Sequence, residues 1–258
     1  MSASRATLRI ADGVATITLN RPERHNALVP DLLEDLRTSI ARAADADIGV
    51  LVLTGAGRSF STGGDIAGFL AARDSREGIA GYAGRIVGLL NEAILDLIGF
   101  KAPVVAAVNG PVTGGSAGLV FAADIVLMSE AAFLQPYYGE VGFAPDGGWT
   151  ALLPDRIGAA RAIEVQALNR RIDARTAVDL GLATRVVSAD AMDAAVAETV
   201  AAICAKEPRS LAAARRLVWD EPCRALLAAR LEAERTAFVD LVGREEVAGR
   251  MRTFVARA

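Results

Sequence analysis

The chain has 258 residues, of which 52% are apolar and 23% charged, enough for one large buried core and too apolar for a disordered chain. A net charge of −3, with no run of five like charges, argues against a nucleic-acid partner and against docking on an anionic membrane. No apolar run reaches the roughly 18 residues that span a bilayer, no apolar signal core opens the chain, and Cys204 and Cys223 stand in no metal-ligand or redox spacing. A cytoplasmic protein with two reduced core thiols and no metal is expected.

In chain order, "VATITL" (14–19) alternates as a half-buried strand, and the polar turn "RPERHNAL" follows it. Leu32, Leu33, Leu36, Ile40 and Ala44 then recur at helical spacing. "IGVLVLTG" (48–55) reads as a buried strand ending in glycine, and "RSFSTGGDIAGFL" leads out of it through a double glycine. A polar, glycine-containing segment (71–84) precedes the amphipathic "RIVGLLNEAILDLI". Next come a strand at 103–108, a second double-glycine turn, a helix to Ala123 and the strand "DIVLMSE". "RVV" (185–187) is one more short strand. From Asp190 the pattern is wholly helical, over 190–206, 208–218, 223–241 and 244–256. The division is therefore an α/β core over 1–189 and a helical region over 190–258, whose several apolar faces suit active-site closure and subunit contacts.

Gly114-Gly115-Ser116-Ala117-Gly118 matches the G-x-S-x-G elbow of serine hydrolases. In that fold the catalytic histidine follows the serine, whereas the single histidine of this chain, His25, precedes it. The glycines then ask for another role. Gly63-Gly64 and Gly114-Gly115 each follow a buried strand and precede a helical segment, where glycine lets the backbone approach a ligand and turn N–H groups outward. If the N–H groups of Gly64 and Gly115 converge, they form a two-donor oxyanion hole suited to a thioester enolate, each donor worth about 3 kcal/mol. Neither pair fits a nucleotide-binding glycine pattern.

"LNRPERHNAL", "GRSFSTGGDI", "KAPVVAAVNGPVTGGSAGLVFAADIVL", "VGFAPDGGWTALLPDRIGAARAIE" and "DARTAVDLGLATRVV" follow one another in an order and spacing that resemble the crotonase superfamily, the enoyl-CoA hydratases and isomerases. The resemblance implies an α/β spiral of repeated ββα units with a C-terminal helical region, assembled as a trimer or a dimer of trimers. It implies an acyl-CoA substrate, with coenzyme A present only as part of the thioester and no further cofactor. Carried over by motif, Gly64 and Gly115 are the oxyanion donors, and Ser116 is a turn residue beside them. Coenzyme A is expected near Arg24, Ala27, Thr62, Gly63, Asp65, Ile66 and Gly114. Phe254 and Arg257 resemble the aromatic and basic pair that reaches a neighbouring subunit's coenzyme A.

The hydratases of this family use two glutamates, at positions matched here by Gly118 and by Tyr137 of "QPYY". Both are missing, and without paired carboxylates the addition of water is disfavoured. Asp146 of "FAPDGG" matches the aspartate of double-bond isomerases and aryl-CoA dehalogenases. An isomerase needs one such base; a dehalogenase also needs a histidine, and His25 belongs to the coenzyme A loop instead. An enoyl-CoA isomerase with Asp146 as acid and base is the favoured activity, with Tyr137 and Tyr138 lining the acyl pocket. A one-residue insertion near "YYGE" makes Glu140 the reserve carboxylate. The alternatives are a hydratase or hydrolase using Asp146 or Glu140, and an acyl-CoA-binding relative without chemistry.

Overall fold

A computed structural model describes residues 4–256. The chain opens with a strand that the sequence reading does not contain, β1 (Ala6–Ala11), paired antiparallel with β2 (Val14–Leu19). The reversal is the two-residue turn Asp12-Gly13, with φ of 51° and 72°, the left-handed pair that a tight hairpin requires. Helix α1 (Pro30–Ala44) buries Leu32, Leu33, Leu36 and Ile40 at the expected spacing, and β3 (Val50–Gly55) follows. After α2 (Ile66–Ala72), helix α3 (Gly78–Ile98) begins well before Arg85. Tyr82 and Ala83 continue the buried face of Ile86, Val87 and Leu90 backward, and that packing overrides the weak helix propensity of the glycines.

Strands β4 (Val104–Val108), β5 (Val112–Thr113), β6 (Ile125–Ser129) and β7 (Phe133–Gln135) come next, with α4 (Ala117–Phe121) between β5 and β6. Beyond them lie α5 (Tyr138–Val141), α6 (Leu153–Ile157), α7 (Ala159–Ala167), β8 (Ile172–Asp173), α8 (Ala174–Asp179) and β9 (Arg185–Val187). One sheet runs β1-β2-β3-β4-β6-β9, parallel from β2 onward; a second runs β5-β7-β8. The strands of the second sheet have only two or three residues each, too short to display a period-two pattern.

The central strands β3, β4 and β6 are buried on both faces, as continuous apolar runs require, whereas the edge strand β1 is largely exposed. Leu51, Leu53, Val104, Ala106 and Val108 join the main core with residues of α1 and α3, while Val50, Val52, Val105 and Ala107 face a second core. That second core is closed by Met192, Ala195 and Ile203 of α9 (Met192–Cys204). The tail continues with α10 (Pro208–Val218), α11 (Glu221–Val242) and α12 (Glu245–Val255). Helix α11 lies along α3, and α12 packs on α2 and α5. Leu227, Leu231, Phe238, Val247 and Met251 of the tail belong to the main core, so the helical region shares its interior with the α/β part.

The cysteines correct the sequence reading. Both are free, as expected, but exposed rather than in the core, because Cys204 ends α9 and Cys223 lies in the first turn of α11, where helix ends meet solvent. Asp220 caps that turn, accepting from Cys223 N–H at 2.9 Å, which starts α11 before residue 223. No helix among the described residues is long and apolar enough to cross a membrane.

Candidate active site

Because β3 and β4 are adjacent and parallel, the glycine turns beyond their carboxyl ends meet. Ser61 N–H donates to Pro111 O (3.2 Å) and Thr113 N–H to Ser61 O (3.1 Å); Leu28 N–H donates to Gly63 O (2.7 Å) and Asp65 N–H to Leu28 O (3.0 Å). The main chain thus stitches three segments together. A Cβ on Gly63, at φ 75°, would stand 2.6 Å from Thr113 O, so only glycine permits this approach. Among the described residues, neither the Gly64 nor the Gly115 N–H is spent on a turn, loop or cap bond, and both glycines line one cleft of about 560 Å³. Ser116 is fully buried, its hydroxyl 2.8 Å from both Ser61 O and Thr113 O, where it clamps the two turns together. His25 Nδ1 lies 3.0 Å from Ser59 Oγ, a contact that ties its loop to the segment leading into Gly63-Gly64.

Asp146 sits against the second turn: a Cβ on Gly115 would lie 2.9 Å from each of its carboxylate oxygens. The residue is 6% exposed, and Tyr138 Oη donates to its Oδ1 at 2.5 Å. Burial pushes the Asp146 pKa up to about 7, with the negative charge of Glu234 adding to the rise and the Tyr138 hydrogen bond opposing it. At neutral pH the group is therefore poised between its two protonation states.

Glu234 is a residue beside the site that the sequence reading missed. It is buried on α11, where it accepts from the N–H groups of Gly148 (2.8 Å), Thr150 (2.7 Å) and Ala151 (2.9 Å) and from Thr150 Oγ1 (2.7 Å). It anchors the loop that carries Asp146, and burial raises its own pKa against those bonds. A signal was present: Glu234 falls on the buried stripe Leu227, Leu231, Phe238 and Val242, where an unpaired charge has no place without partners.

Arg24, Ala27, Thr62, Gly63, Asp65 and Ile66 line the mouth of the cleft. Asp65 is not a free acid there. Arg21 and Arg24 hold it at 2.8 and 3.1 Å, and although burial pushes its pKa up, the two guanidinium bonds leave it below the usual carboxylate range. Its Oδ1 also caps α2 through Ala67 N–H at 3.1 Å. Tyr137, at φ 61°, packs edge-on to Phe254 with ring centroids 5.6 Å apart. Phe254 lines the cleft of its own chain, where α12 packs on α2 and α5. Arg257 lies outside the described residues. Gly114, Tyr137, Tyr138 and Asp146 all line the cleft, while Glu140 is exposed and does not.

The inner wall was not legible in advance. Phe69, Phe143 and Phe238 pack with centroids 4.9–5.9 Å apart, and Ile86, Val87 and Leu90 of α3 complete an apolar chamber behind the glycines.

Two glycine turns that meet, an apolar chamber behind them and the buried carboxylate of Asp146 against the second turn are suited to holding an apolar group beside a polarised carbonyl. The enoyl-CoA hydratase/isomerase family model matches residues 9–258, and the chain belongs to that family. It is 36% identical over 225 residues to a Mycobacterium bovis protein named "Probable enoyl-CoA hydratase", covering 86% of this chain and 79% of that one. With enoyl-CoA delta isomerase 2 of Rattus norvegicus it shares 30% identity over 206 residues, 80% of this chain and 52% of the relative. The crystal structure of an enoyl-CoA hydratase from Bacillus halodurans superposes with a TM-score of 0.89 at 22% identity, over 97% of this chain and 100% of that one, a likeness of fold.

Proposed function

We propose that the protein is an enoyl-CoA isomerase that moves a carbon–carbon double bond by carrying one proton on Asp146. The thioester oxygen lies between the N–H groups of Gly64 and Gly115. Asp146 takes the proton from the carbon beside the thioester, the C–H electrons pass into a dienolate, and its negative oxygen is held by the two donors. Protonated Asp146 then returns the proton at the far carbon of the conjugated system, so no atom is gained or lost. Coenzyme A runs out past Arg24, Ala27, Thr62 and Ile66, and no further cofactor enters. Leu217 and Val218 on α10, 76% and 66% exposed, support a subunit contact of the trimeric kind.

The observation that carries this reading over hydration is the packing at Gly118. A Cβ there would meet Ile94 Cδ1 at 2.4 Å and Gly147 O at 2.5 Å, which leaves no room for a second carboxylate beside Asp146. The other hydratase position, Tyr137, is engaged with Phe254. Hydration would divide water activation and carbon protonation between two groups, and the chamber offers one. Product analysis with short, medium-chain and arylacetyl enoyl-CoAs tests the reading. A shifted double bond supports it, a 3-hydroxyacyl-CoA product makes the protein a hydratase, and tight binding without product makes it a binding relative.

A further inference from the structure

Asp146 has two oxygens, and its surroundings distinguish them. Tyr138 Oη lies 2.5 Å from Oδ1 and 3.0 Å from the Asp146 carbonyl oxygen. With a single proton to donate, it serves the closer and charged acceptor. Among the described residues no side chain donates to Oδ2, although Asp146 lines the cleft. Tyr138 is itself held firmly. It is buried at the start of α5, its carbonyl accepts from Gly142 N–H at 2.8 Å and Phe143 N–H at 3.0 Å, and the preceding Tyr137 N–H is bound by Asn169 Oδ1 at 3.0 Å. The side chains that act on the carboxylate are Tyr138 and Glu234, with no cation among them. Glu234 stands behind Gly148, repels the charge and cannot reach either oxygen as a donor while ionised.

We propose that Tyr138 is the positioning residue of the proton transfer: it occupies Oδ1, leaves Oδ2 as the one oxygen that meets substrate, and favours the charged form of the base. The inference rests on the isomerase reading with Asp146 as base. One oxygen then takes the proton from the carbon beside the thioester and returns it on the same face of the planar dienolate. Burial and the charge of Glu234 push the carboxyl toward its protonated form, and among the described residues the Tyr138 hydroxyl is the side chain that opposes them.

The test is the pH profile of kcat/KM for 3-hexenoyl-CoA in Tyr138→Phe, which keeps the ring and removes the donor. The acid limb should move up by about one pH unit, so that kcat/KM at pH 6 falls about tenfold and recovers by pH 9, with KM unchanged. A merely structural tyrosine would give an equal loss at every pH. In case the phenylalanine variant does not fold, 3-fluorotyrosine at 138, of nearly equal size and a stronger donor, should move the limb down. An unmoved limb in both variants, or a change in KM alone, overturns the proposal. Asp146→Asn assayed alongside separates the two readings. If it isomerises like wild type, Asp146 is not the base; if it is dead while the Tyr138 profiles stay put, only the tyrosine role is lost.

Discussion

Replacing Asp146 with asparagine should trade activity for stability, and the direction depends on pH. The carboxyl is buried, with its pKa raised from 3.8 to about 7. Between those values the folded protein holds a proton that the unfolded chain has released, so folding stability falls as pH rises through this window and levels off above it. A rise of about 3 pKa units corresponds to about 4 kcal/mol of destabilisation at pH 8, at 1.36 kcal/mol per unit. Asparagine keeps the shape and still accepts from Tyr138, but does not titrate. Asp146→Asn should therefore be more stable than wild type at pH 8 by up to about 4 kcal/mol, with the advantage vanishing toward pH 4. Urea unfolding of both proteins at pH 4.5, 6 and 8 measures it. In the same samples, exchange of substrate α-protons with solvent deuterium should fall at least about a hundredfold. Parallel stability curves for the two proteins across this range would refute the reasoning, since an Asp146 in ordinary contact with water would have no such slope.

Glu234→Ala leaves the buried N–H groups of Gly148, Thr150 and Ala151 without their acceptor, and should cost about 3 kcal/mol in urea unfolding at pH 7 while lowering the pH of the Asp146 acid limb. Ser116→Ala should lose about 1 kcal/mol of stability and keep nearly all its turnover, because that hydroxyl is a clamp and not a nucleophile. Gly115→Ala puts a methyl 2.8 Å from Leu90 Cδ2 and 2.9 Å from both Asp146 oxygens, and proton exchange should drop more than tenfold in the deuterium assay. Leu217→Asp, on an exposed apolar position of α10, should shift the mass seen by light scattering toward the monomer.

The sequence by itself determined the elements whose signal is local. The strands at 14–19, 50–55, 104–108 and 125–129 are apolar runs closed by turns, and the helices of the tail show their boundaries through Pro208, Pro222 and the caps beside them. It also marked the two glycine pairs and excluded the hydrolase reading of Ser116, since one histidine in the wrong order is a fact of composition. The hairpin strand β1, the three short strands of the second sheet and the first turns of α3 were decided by tertiary packing, because each is too short or too glycine-rich to carry its own periodicity. The same holds for the chemistry. Asp146 in "PDGG" is marked as the base only by its family position; its raised proton affinity comes from burial, opposed by Tyr138 on α5, and from the charge of Glu234, which reaches the loop from a helix far along the chain. Arg21 and Arg24 neutralise Asp65 across a shorter gap, 41 residues for Arg24, and leave Asp146 as the acid without a cation inside the chamber. A proton affinity depends on which dipoles and charges lie within a few ångströms, and only the folded chain brings those groups together.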